Sequence, residues 1–146
     1  MKWSDDYKIG LAAIDSQHKR LFELIGDLNS ALRAGLSGAH LEKLLSSLDQ
    51  YKTRHFQLEE KYMKECSYPG LAEQQEAHAY FSARFVELGE EMQRTGMTSV
   101  IVNAVKEELS QWVQEHVTGL DMQFGRYYRN WKDKQGAGNA AETTET

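Results

Sequence analysis

Apolar residues recur along most of this chain at alternating steps of three and four, the spacing that lines one face of an α-helix. The first such stripe is Ile14, His18, Leu21, Ile25, Leu28 and Leu32. It predicts a helix that begins near Asp15 as its cap and ends at Ala34-Gly35, after which Ser37 can cap the next. A second stripe runs Leu41, Leu44, Leu48, Tyr51, His55, then Leu58 or Glu59, then Tyr62, and stops before the turn-forming Ser67-Tyr68-Pro69-Gly70. The third is Leu71, Gln74, His78, Phe81, Phe85, Leu88 and Met92, closed by Thr95-Gly96. The fourth is Ile101, Val105, Leu109, Trp112 and His116, after which Gly119 and an aromatic stretch predict a kink and a short terminal helix. Four helices of roughly 20 residues joined by short connections make an all-α, up-down-up-down four-helix bundle the expected architecture.

The two ends of the chain read differently. Gly10 interrupts residues 1–13, and Trp3, Tyr7 and Ile9 provide only scattered apolar anchors, so this stretch is expected to be an arm packed across the bundle. From Lys134 onward no apolar residue is larger than alanine, and burial cannot offset the entropy of ordering. The domain is therefore read as residues 1–132, with 133–146 expected as a disordered tail.

Composition supports a helical fold and removes several functions. One proline in 146 residues, with abundant Leu, Glu, Gln, Lys and Ala, excludes a strand-rich fold. A net charge of -5, with basic residues scattered among acids, gives nothing to hold a nucleic-acid backbone. No apolar run approaches the ~20 residues that cross a bilayer, and the amino terminus lacks a signal-peptide core, so a soluble cytoplasmic protein is expected. The single cysteine, Cys66, cannot form an internal disulfide and suits a reducing compartment.

Where the stripes should carry leucine they carry His18, His55, Glu59, Gln74, His78 and His116 instead. Burying an unpaired imidazole or carboxylate costs several kcal/mol by order of magnitude, and shared metal ligation removes that cost for the whole set. Residues four apart share a helix face, which pairs His55 with Glu59 and Gln74 with His78. Asp121 follows His116 by five residues, about 140 degrees around a regular helix, so it joins them only if the helix deforms near Thr118-Gly119. Imidazoles with two carboxylates suit two ions of iron, manganese or zinc, and no thiolate set is present for structural zinc or iron-sulfur chemistry. The chain contains no Glu-x-x-His, so this is not the ordinary di-iron carboxylate pattern. His40, between the first two helices, reads as a surface residue.

With these residues in hand, the chain resembles the hemerythrins, and among them the single-domain bacteriohemerythrins, over about residues 3–130. The segment from Trp3 to His18, the pair in HFQLE, His78, Trp112 one turn before His116, and HVTGLD carry the likeness. It implies two non-haem irons, oxo- or hydroxo-bridged, that bind dioxygen as a hydroperoxide for storage, delivery or sensing. His18 and His55 would hold one iron, Gln74 or its substitute with His78 and His116 the other, and Glu59 and Asp121 would bridge. Apolar walls would keep water and protons out, with Phe22, Phe56, Trp112, Val113 and Val117 as candidates.

The departure from the family is Gln74, where the family has histidine. Three outcomes follow from it: its amide oxygen coordinates, water replaces it, or Gln75 reaches in. No catalytic residue or separate substrate pocket can be named, so binding without turnover is the reading. The alternative is an enzyme or redox sensor that reduces oxygen, peroxide or nitric oxide at an opened iron site. A third is a bundle that binds metal or a partner without di-iron chemistry; any protein partner is unspecified.

Overall fold

A computed structural model of the chain describes residues 2–35, 39–96 and 98–144. After a single 3-10 turn at Asp5–Tyr7, three helices follow: α1 (Ala12–Arg33), α2 (Ala39–Glu65) and α3 (Leu71–Thr95). A fourth, continuous rod is built from α4 (Ser99–Asn103), a π-helical stretch Ala104–Leu109, α5 (Ser110–His116), a second π-helical stretch Val117–Asp121, and α6 (Met122–Thr144). The helices form the expected all-α bundle, and the breaks fall where turn residues stand. Gly35 and Gly96 end α1 and α3 with φ of 74° and 76°, the left-handed conformation that costs glycine least. Thr98 caps α4 by accepting the Ile101 amide. The Ser37 cap expected for α2 lies outside the described residues.

Every member of the α1 stripe is buried, and α3 buries Gln74, His78, Phe81, Phe85 and Leu88 as its spacing predicts. Along α2 the buried face is rotated by about one residue. Leu41, Leu48, Lys52, His55, Phe56, Glu59 and Met63 are inside, whereas Leu44, Tyr51, Leu58 and Tyr62 are only partly so. A lysine on an inward face is invisible to a polar-apolar pattern. Lys52 manages it by laying its ammonium over the Phe56 and Phe85 rings, at 5.9 and 5.7 Å, and donating to Ser82 Oγ at 3.0 Å.

Asp15 is not the cap of α1. The helix starts earlier, at Ala12, with Leu11 in the capping position and no side-chain cap. Gly10, at φ 93°, turns the chain back so that the buried Asp15 carboxylate accepts the amides of Ile9 (2.7 Å) and Gly10 (3.3 Å). A carboxylate in the first turn also suits the positive end of the helix dipole. Asp15 thus clasps the amino-terminal arm. Trp3 and Tyr7 pack on Phe22, with ring centres 5.5 and 5.1 Å away, and Ile9 enters the core. The arm crosses α6 at Gly125, where a Cβ would collide with the Ile9 carbonyl oxygen and lie 2.8 Å from the Ile9 Cβ.

The last helix is longer than the short one expected. It runs from Met122 to Thr144, with no proline in its sequence to stop it. Residues 132–137 are exposed on it. Among the described residues, no helix is long and apolar enough to cross a membrane. Cys66 is buried and unpaired, just past the end of α2.

Two apolar clusters lie along the bundle axis. The larger includes Leu21, Phe22, Ile25, Phe56, Phe81, Val113 and Val117; the smaller includes Ile9, Ile14, Met63, Phe124 and Tyr128. The unexpected polar residues lie near the junction of the two clusters, so they form one polar layer with apolar packing on both sides.

Candidate metal centre

The polar layer brings together all seven sequence-predicted ligands: His18 from α1, His55 and Glu59 from α2, Gln74 and His78 from α3, His116 from α5 and Asp121 from the second π stretch. All are buried, and His18, Glu59 and Asp121 are completely so. The four imidazoles point Nε2 towards the carboxylates. Glu59 Oε1 lies 2.9 Å from both His18 Nε2 and His55 Nε2, while its other oxygen, Oε2, lies 3.0 Å from His78 Nε2. Asp121 divides in the same way, with Oδ2 3.1 Å from His18 Nε2 and Oδ1 3.2 Å from His116 Nε2. Each carboxylate therefore gives one oxygen to a His18–His55 side and the other to a His78–His116 side.

Asp121 reaches the layer because the backbone is not a regular α-helix there. Val117–Asp121 is π-helical, with hydrogen bonds closing from i to i+5, a wider turn that brings residues five apart closer to one face. That narrows the angular mismatch between His116 and Asp121. The upstream stretch Ala104–Leu109 solves a related problem. Ile101, Val105, Leu109, Val113 and Val117 are buried at strict steps of four, which would drift around a regular helix by about 40 degrees per step.

The donor chemistry fits a pair of cations. The layer offers two groups of closely spaced donors, His18–His55–Glu59–Asp121 and Glu59–His78–His116, with ligand atoms within 4.8 Å of one another in each group. Gln74 Oε1 is buried without a hydrogen-bond partner, so its lone pairs are unused by the protein itself. Burial alone would lower the pKa of His18, but its hydrogen bonds with Asp121 and Glu59 and the charge of both carboxylates raise it to about 10. His78 is raised by the same opposition, with Glu59 and Glu60 outweighing burial. Glu59 is held well below the usual carboxylate range: burial would raise it, but His55, His18 and His78 outweigh that. Metal ions entering such a site must displace protons.

Outer contacts hold the rings in place. His55 Nδ1 bonds Gln17 Oε1 at 2.9 Å and His78 Nδ1 bonds Glu60 Oε2 at 3.1 Å, leaving each Nε2 turned inward. Sequence reasoning missed Gln17 and Glu60; their sole signal is adjacency to His18 and Glu59. Phe56 stacks on His78 with ring centres 3.9 Å apart and planes within 8°, and Trp112 stacks on His116 at 4.5 Å and 10°. Phe81, also missed as a wall residue although it lies three positions after His78, joins Phe56 edge-on and stacks on Trp112 at 4.4 Å. Val113, Val117 and Phe22 are buried nearby in the larger cluster, with Phe22 turned towards the arm.

The Gln74 alternatives separate geometrically. Gln75 is exposed and donates to Glu60 Oε1 at 3.1 Å, so it does not enter the layer. Gln74 does enter, and its Nε2 donates to Asp121 Oδ1 at 3.0 Å.

Comparison with known proteins agrees with this site. The family pattern described as the hemerythrin HHE cation binding domain matches residues 9–128. Bacteriohemerythrin from Stenotrophomonas maltophilia (strain R551-3) is 30% identical over 122 residues, covering 84% of this chain and 77% of that protein. Bacteriohemerythrin from Pseudomonas aeruginosa (strain LESB58) is 29% identical over 119 residues, covering 82% and 75%. Myohemerythrin from Riftia pachyptila is 25% identical over 122 residues, covering 84% and 88%. Matched over most of its length, the chain belongs to the hemerythrin family, whose cofactor is a pair of non-haem irons and whose ligand is dioxygen.

Proposed function

We propose that this chain captures dioxygen reversibly, with His18 and His55 on one iron, His78 and His116 on the other, and Glu59 and Asp121 shared between them. Gln74 stands at the position that the family fills with a further histidine. The observation that carries this reading is the division of both carboxylates, each with one oxygen towards each pair of histidines. Two shared carboxylates are the means by which a helical bundle holds two ions close enough to act together. When bound, the irons would supply the electrons that capture of dioxygen takes.

The chain's own residues bind, orient and exclude. Gln17 and Glu60 hold His55 and His78 through Nδ1 so that Nε2 remains free for metal. Phe56 and Trp112 cover the outer faces of His78 and His116, and Val113, Val117 and Phe22 extend the apolar lining. Such a wall keeps water and protons from the bound gas, which reversibility requires. A lone free cysteine suits the reducing cytoplasm, the compartment proposed for this protein.

The test is anaerobic reconstitution with ferrous iron followed by oxygenation. The chain should take up two irons, one for each donor group, and gain visible absorption that fades when oxygen is swept out. Sustained consumption of oxygen, peroxide or nitric oxide with no reversible spectrum would overturn the reading in favour of an enzyme.

A further inference from the structure

Gln74 is 1% exposed and faces an acceptor. Asp121 Oδ1 has only lone pairs to offer, so the end of the amide that lies 3.0 Å away must be the nitrogen, since the reverse orientation would set two acceptors against each other. An amide nitrogen has no lone pair for a metal. Gln74 Oε1, left buried without a partner, is a neutral oxygen and a poorer donor to a transition metal than imidazole. The two sides of the centre therefore differ. His18, His55, Glu59 Oε1 and Asp121 Oδ2 form a set of four donors, whereas the other closely spaced group is Glu59, His78 and His116. On that second side the remaining carboxylate oxygen, Asp121 Oδ1, is shared with the Gln74 amide.

We propose that Gln74 is a positioning residue that holds Asp121 by a hydrogen bond and is not itself a metal ligand, so that the two metal positions fill in order. The His18–His55 side fills first, and the His78–His116 side, where Asp121 Oδ1 also accepts the Gln74 amide, binds second. This rests on the two-metal reading above. It also separates two effects of Gln74 that a substitution can pull apart, the donor it fails to supply and the carboxylate it steadies.

Zinc, which has no redox chemistry, tests this directly. Metal-free full-length chain is titrated with Zn²⁺ in competition with a chromophoric chelator, and far-UV circular dichroism confirms that each variant is folded. The original chain should bind in two steps whose dissociation constants differ by at least about tenfold, or bind one ion tightly and the second too weakly to register. Gln74→His should bring the second step to within about threefold of the first. Gln74→Met, close in size but unable to donate to Asp121, should weaken the first step by about tenfold, in the 10–100-fold range by which lost outer partners reduce metal affinity. Gln74→Leu repeats that test should the Met variant fail to fold. Two equal sites in the original chain, or a first step untouched by both Met and Leu, would overturn the proposal. Failure of both the original chain and the His variant to bind any zinc would instead overturn the two-metal reading on which it rests.

Discussion

Glu59 is the residue on which the centre turns, because one side chain faces three histidines from three different helices. A shared carboxylate is harder to replace than any single imidazole. Glu59→Gln keeps the shape but removes the charge and puts an amide nitrogen where an oxygen donor stood. Metal uptake should fall from two ions per chain to one or none, with affinity reduced at least about 100-fold, the upper end of what lost outer partners alone cost. Metal analysis after dialysis checks this; full retention of both ions would show that Glu59 does not bridge. The histidines were legible in the sequence because each breaks an apolar stripe, and a broken stripe is a local signal. Gln17, Glu60 and Phe81 were not, because their roles depend on how neighbouring helices are rotated. Lys52 escaped for a different reason: its stem is apolar and its tip polar, and a one-letter pattern records only the tip.

At the scale of elements, the fourth rod shows where spacing rules give out. Its two π-helical stretches bring Asp121 towards His116 and keep Ile101, Val105 and Leu109 inward, and neither can be read from a period of 3.6. The mismatch at Asp121 did announce that the helix had to deform; the π-helical form it takes does not follow from spacing. The arm depends on a close approach of the same kind. Gly125→Ala would force the Ile9 backbone away from α6 and should cost about 1–3 kcal/mol, as overpacking in a tight core does, measured by denaturant unfolding of metal-free protein. A surface pair links α3 to the first π stretch: Arg84 Nε and Nη2 donate to the two oxygens of Glu108 at 2.6 and 2.9 Å. The Arg84 guanidinium holds the Glu108 carboxyl below its ordinary range. Its contribution is therefore complete above the ordinary carboxylate pKa and lost as pH falls through the lowered one. The pair is partly exposed, so solvent screening limits it to about 1 kcal/mol or less. Glu108→Gln should remove that increment at pH 7 and leave stability nearly equal to that of the original chain in acid; an equal deficit at both pH values would show that the pair contributes nothing.

For the molecule as a whole, the expensive feature is the polar layer between two apolar clusters. Apolar residues there would pack without compensation, whereas buried carboxylates and imidazoles carry a desolvation cost that protons meet only in part. Retaining such a layer makes physical sense if it holds cations, and it couples metal binding to folding. The bundle was legible because four amphipathic stripes with clear stops allow few arrangements. The extent of the last helix was not, since Gly and polar residues near the carboxyl end give no apolar stripe to follow.

The most direct test of a two-metal centre bridged by Glu59 and Asp121 is anomalous diffraction from a crystal loaded with iron under anaerobic conditions. Two metal peaks are expected, roughly 3.5–4 Å apart. One should be flanked by His18 and His55 and the other by His78 and His116, with an oxygen of each carboxylate on each peak. A single peak, or two peaks that do not share Glu59 and Asp121, would contradict the account.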